Sequence, residues 1–179
     1  VFAVLGLLSS CSNDDAEMDT LEFAPGEISV GIKSGTDIKY LFGFINQFEH
    51  KVIVIRALTF TSRLSSGDLQ NVLKVLNEKT YTNDGLNWRV TGYLNHQTNQ
   101  ITIFPKLFNM ENIKNQNDWL TSLEEFKLKS EHYKDLNSGI IVFTVPSGEE
   151  HKWKSHFKNY AVVDWAELHY FADIKPIMN

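Results

Sequence analysis

Residues 139–170 read GIIVFTVPSGEEHKWKSHFKNYAVVDWAELHY. GIIVFTV is a β-branched apolar run of strand length. Pro146-Ser147-Gly148-Glu149-Glu150 is a turn followed by two acids, which are favourable at the positive end of a helix dipole. We read both as capping residues, because adjacent helix positions do not converge on one substrate atom. Trp153, Phe157 and Tyr160 then fall at i, i+4 and i+7 and share one helix face. AVVDWAELHY returns to a strand pattern. The plan is strand, Ser-Gly-x-acid turn, amphipathic helix, strand.

The same plan occurs near the other end of the chain. In EISVGIK, Ile28, Val30 and Ile32 alternate with Ser29, Gly31 and Lys33, the period of a strand with one buried face. Ser34-Gly35-Thr36-Asp37 is a turn with capping residues. Ile38, Leu41, Phe42, Ile45 and Phe48 make one apolar helical stripe, and KVIVIRALTF reads as one strand ending near Thr61. IKSGTD and VPSGEE hold the same place in the two units. Two such units pack most simply as one antiparallel four-stranded sheet with both helices on one face. This is an α+β, ferredoxin-like split βαβ arrangement, in which right-handed crossovers let the units interleave.

Between the units lies an insertion over about 62–137, with a helix, hairpin, helix pattern. Ser66-Gly67-Asp68 opens a helix carrying Leu69, Val72, Leu73 and Leu76. WRVTGYLN and QITIFPKLF form a hairpin across 96–99, with Pro105 holding the second strand to an edge or ending it. NDWLTSLEEFKL gives the second helix. The sequence leaves open whether the insertion is a subdomain or packs on the sheet.

Two helices cover only one face of a sheet. The other carries Ser29, Gly31 and Lys33 on the first strand, but the second and third strands are apolar on both sides. On the last strand Trp165 and Ala166 point opposite ways. An apolar face of that size needs a cover, and the expected cover is the insertion.

Three stretches resemble the propeptide of subtilisin-type proteases, a domain also found as free-standing inhibitors of those enzymes. They are Pro25–Lys33, Ile141–Glu150 and Val163–Tyr170, and the resemblance that they carry covers about 75 residues, split by the insertion. The last resembles the pattern V-E-x-A-E-P-N-Y and departs from it at Leu168 and His169. The resemblance implies a sheet face laid on a protease and a C-terminal tail, residues 171–179, running through the protease's cleft like a product. Trp165, Tyr170, Phe171, Ala172 and Asp173 are then the partner-binding residues. Within these 179 residues no catalytic domain follows, so the resemblance implies a detached inhibitor or chaperone of a subtilisin-type protease.

The first residues concern location. Val1–Leu8 is apolar but too short to span a bilayer, and reads as the remnant of a secretory signal over 1–10. Leu8-Ser9-Ser10-Cys11 resembles a bacterial lipoprotein processing site, which implies lipidation of Cys11. Residues 11–24 read as a flexible tether ahead of a domain over 25–170. The acidic start of that tether resembles the tags of surface-exposed lipoproteins of Bacteroidota. The expected location is the envelope of a Gram-negative cell, lipid-anchored at the outer membrane or cell surface.

Composition narrows the chemistry. Net charge is −5 and no Lys/Arg block occurs, which argues against a nucleic-acid partner. Cys11 is the only Cys, so an internal disulfide or a Cys-rich zinc site has no residues to form it. No G-x-G-x-x-G, P-loop, G-x-S-x-G or H-E-x-x-H motif is present. Glu167 and His169 share a strand face and are within reach of each other, but an acid–base pair without a nucleophile or pocket is not an enzyme. The reading is therefore non-enzymatic, with no cofactor and no metal site. The alternative is a glycan- or small-molecule-binding protein using the inserted hairpin, with Trp88 and Tyr93 as the aromatic platform.

Overall fold

A computed structural model describes residues 23–86, 88–134 and 136–170. The signal remnant, Cys11, the tether as far as residue 22 and residues 171–179 lie outside the described residues. Among the described residues the architecture is α+β, with four α-helices and two antiparallel four-stranded sheets.

The first sheet joins the two ends of the chain. It contains β1 (Phe23–Ile32), β2 (Val52–Arg56), β7 (Ile140–Thr144) and β8 (Val163–Tyr170), in the order β2-β7-β1-β8. The sequence-distant units interleave, since β1 sits between both strands of the C-terminal unit and every pair is antiparallel. β1 begins at Phe23, so the expected tether ends before residue 24: Ala24 is buried, and Phe23 packs edge-on against His151.

Helices α1 (Ile38–Ile45) and α4 (Glu150–Phe157) lie on one face of this sheet. Phe143 of β7 meets Phe44 of α1 at 6.1 Å and Phe157 of α4 at 4.9 Å between ring centroids. Asp37 caps α1 by accepting the Lys39 N–H. At α4, Glu149 pairs with Lys152, whereas Glu150 is buried and accepts the Gly26 N–H at 2.7 Å. Bonds from the backbone N–H groups of Glu150, Gly148 and Gly26 hold the Glu150 carboxyl below the usual range. Glu149 takes the cap position of α4 without a side-chain capping bond, so the expected capping by both acids is not what they do: Glu150 instead ties the helix start to β1.

KVIVIRALTF is two strands rather than one. β2 ends at Arg56, Ala57 takes a left-handed φ of 59°, and β3 (Phe60–Ser62) enters the second sheet. Alternation cannot reveal such a corner, because it stays apolar across the bend. The second sheet adds β4 (Thr91–Asn95), β5 (Gln100–Phe104) and β6 (Lys129–Ser130), in the order β4-β5-β3-β6. β5 ends just before Pro105. β4 starts only at Thr91, because Asn77 occupies both backbone groups of Val90. Asn77 is the last residue of α2 (Leu69–Asn77). The remaining helix, α3 (Ile113–Glu125), starts earlier than NDWLTS implied, with Asn112 as its cap.

The insertion is not a lid laid across the first sheet. Its segment after Pro105 runs beside β2, where Ile55 and Leu107 exchange both backbone bonds at 2.7 and 2.9 Å. α3 joins α1 through reciprocal amide bonds between Asn46 and Gln116, at 3.0 and 2.7 Å. Trp119 is buried against Phe60, and one continuous apolar core runs through both sheets. Docking at the β2 edge satisfies a row of otherwise unpaired backbone groups, which an apolar cover over the face would not do.

Candidate functional site

The face of the first sheet opposite α1 and α4 is built by alternation. Ile28, Val30 and Ile32 enter the core, so Glu27, Ser29 and Gly31 point away from it. By the same rule β7 presents Ile140 and Val142, β2 presents Val54 and Arg56, and β8 presents Trp165 and His169. The face is mixed, not continuously apolar.

Trp165 lies across Gly31, its cross-strand partner. The indole fills the space a side chain would occupy there, and its Nε1–H donates to Asn137 Oδ1 at 3.0 Å. Asn137 also donates to the Ile32 carbonyl and to Asp164, so the last residues of the insertion pin the indole. In the rows beyond, Ser29 Oγ and His169 Nδ1 are 2.7 Å apart, and His169 Nε2 is 3.9 Å from Glu27 Oε2. Burial lowers the His169 pKa, Arg56 lowers it further, and Glu27 opposes both. Arg56 Nε is buried and has no hydrogen-bond partner among the described residues. Val142 is 1 % exposed, while the bulged Ile53 of β2 is 36 % exposed.

The two departures from the propeptide pattern have local reasons. Leu168 is buried in the core opposite Ile28, and His169 holds Ser29. Glu167 does not meet His169. It pairs with Lys154 and with Lys158 of the α4 region, which ties β8 to the helix and holds the carboxyl below its usual range.

Of the proposed partner-binding residues, Trp165 and Tyr170 are described, and Phe171, Ala172 and Asp173 lie beyond the described residues. Trp165 belongs to the open face. Tyr170 is five positions on, hence on the opposite side of β8, and 43 % exposed. The sequence reading missed Arg56 and Asn137. Arg56 was legible as the polar end of an apolar strand, whereas nothing local marks Asn137.

Trp88 and Tyr93 do not form one platform. Lys106 Nζ sits 3.8 Å from the Trp88 ring centroid, and Trp88 Nε1 is buried without a hydrogen-bond partner among the described residues. Trp88 lines a cleft of about 670 Å³ with Asn77, Asn83 and Arg89. Tyr93 lies outside that cleft, stacked on Phe104. A third group joins His50, Trp153 and His156 to Phe48, with His50 and Trp153 centroids 4.2 Å apart. Burial and the neighbouring His156 lower the His50 pKa.

Among the described residues, no group of three or more His, Cys, Asp or Glu side chains is placed to hold a metal ion. No described helix is long and apolar enough to cross a membrane. No family model matches the chain, and neither does any curated protein or solved structure.

Proposed function

We infer that this chain is a non-enzymatic binding protein whose first sheet, with α1 and α4, is a ferredoxin-like split βαβ unit of the subtilisin-propeptide kind. The unit lays its open face, centred on Trp165, against a subtilisin-type protease. The segment after Tyr170, beginning with Phe171, Ala172 and Asp173, supplies the product-like peptide to the cleft. The protein inhibits the protease or assists its folding, and it is held at the cell envelope through lipidated Cys11.

The observation supporting this reading is the strand order β2-β7-β1-β8 with both helices on the Phe143 face. That order interleaves the propeptide-like segments, with α1 and α4 on the Phe143 side. An edge strand leading directly into residue 171 fits the same use.

The test is inhibition of a panel of subtilisin-type proteases by the protein from residue 12 onward. Competitive inhibition that is weakened by Trp165→Ala or by removing residues 171–179 is the expected result. No inhibition at about 10 μM, a concentration that detects even weak complexes, together with no effect on protease refolding, sinks the reading. Radiolabelled palmitate incorporated into the precursor, but not into its Cys11→Ser form, tests the anchor separately.

A further inference from the structure

The second sheet also has two unlike faces. Phe60, Ile101 and Ile103 are buried in the core, so Thr61, Gln100, Thr102 and Phe104 lie on the other side, where Thr102 is itself buried between its neighbours and the other three are half-buried. Strand register aligns Tyr93, Thr102, Thr61 and Lys129 in one row across all four strands. That row spans about 14 Å at the usual strand spacing.

Its two ends differ chemically. At one end Tyr93 is 49 % exposed and is held flat by Phe104, 5.9 Å away at 27° between ring planes. At the other, Arg63, Lys127 and Lys129 line a cleft of about 480 Å³ with Gln100. None of these three cations has an ion-pair partner among the described residues. The carboxylate of the cleft, Glu131, accepts the Thr61 hydroxyl at 3.2 Å. Three unpaired cations around one cleft are unusual on a chain whose net charge is −5.

We propose that this outer face binds an acidic oligosaccharide. A sugar ring rests its C–H face on Tyr93, hydroxyls meet the side chains of Gln100 and Thr61 between, and a carboxylate or sulfate sits among Arg63, Lys127 and Lys129. Arg63 offers the bidentate geometry that such anions take. The flat aromatic and the cations stand at opposite ends of one row, so a ligand must be extended and must carry both an apolar ring face and a charge. A neutral glycan leaves the cations unused. A nucleic acid brings a phosphate at every residue to a protein that is acidic overall, which the charge balance opposes. The proposal is independent of the first sheet and of any protease.

Isothermal titration of the full chain with oligogalacturonate, a chondroitin sulfate oligosaccharide, maltohexaose and oligothymidylate tests it. Saturable binding of one or both acidic saccharides, weakening as salt is raised, is expected. Tyr93→Ala and the double change Arg63→Gln/Lys129→Gln should each weaken it about tenfold, while Tyr93→Phe keeps it. These side chains lie on the surface, and an unchanged circular dichroism spectrum verifies that each variant folds. The proposal fails if neither acidic saccharide binds at about 1 mM, or if Tyr93→Ala and the double variant bind as the native chain does. It fails equally if maltohexaose or oligothymidylate binds as tightly as the acidic saccharides. Protease inhibition unaltered by Tyr93→Ala shows that the two surfaces are separate.

Discussion

Gly31 and Trp165 offer a direct test of how the two ends of the chain meet. They are 134 positions apart and face each other across β1 and β8. The Gly31 backbone is not left-handed, so alanine is conformationally acceptable there. Its Cβ, however, would lie 2.8 Å from Trp165 Cδ2 and closer still to Cε2 and Nε1. Gly31→Ala must therefore displace the indole and break its bond to Asn137. Overpacking of this kind costs about 1–3 kcal/mol. For a domain of this size that lowers Tm by roughly 2–4 °C per kcal/mol. In a Trp165→Ala background the collision is gone, and the same Gly31→Ala change should instead stabilise by about 0.4–1 kcal/mol through reduced unfolded-chain entropy. The double-mutant cycle then has a coupling energy of about 1.5–4 kcal/mol, well above the few tenths expected of unconnected sites. Urea unfolding followed by far-ultraviolet circular dichroism measures all four proteins without relying on tryptophan emission. Additive single and double changes, within about 0.5 kcal/mol, would refute the β1–β8 register and the open face built on it.

Phe157→Ala empties the centre of the Phe44, Phe143 and Phe157 cluster and should cost about 3–5 kcal/mol in urea unfolding, against almost nothing for exposed Tyr40→Ala. Ala57→Gly relieves a left-handed backbone at the corner between the sheets and should stabilise by up to ~1 kcal/mol, whereas Ala57→Val should destabilise. His50 and His169 both have folded pKa values below the ordinary 6.5. The native state therefore favours their neutral forms: their contribution is complete above about pH 6.5 and is lost as pH falls through and below that value. Thermal melts of His50→Phe, which keeps a ring against Trp153 and stays uncharged beside His156, should fall less than the native protein between pH 7 and about pH 5. Equal slopes for the two proteins would contradict the assignment. The carboxylates of Glu150 and Glu167, both held low, act further down, with loss below about pH 4.5.

Local pattern was enough to read several features of this protein. The alternation of Ile28, Val30 and Ile32, the apolar stripe of α1 and the Ser-Gly-x-acid turns are short-range signals, and each marks an element where the structure has one. That both units belong to a single antiparallel sheet also followed from sequence, because strands flanking helices of matching length have few ways to bury their apolar faces together. Tyr93 was visible as an aromatic on a hairpin, and Trp165 as the side chain opposed to Ala166.

Other features depended on partners distant in sequence. The corner at Ala57 is invisible to alternation, since the residues on both sides are apolar whichever sheet they join. β6 is two residues long and exists because Phe60 and Thr61 offer it an edge. The insertion docks beside β2 because unpaired strand groups need bonds more than a mixed face needs a cover, and no local signal carries that comparison. Arg63, Lys127 and Lys129 are ordinary surface cations in the sequence. Register sets Lys129 at the far end of the row from Tyr93, and Arg63 and Lys127 meet it in one cleft. Composition and periodicity decide which segments bury which side, because those are properties of neighbours along the chain; which distant side chains then share a surface is decided by hydrogen-bond register and edge pairing, and so only by the tertiary structure.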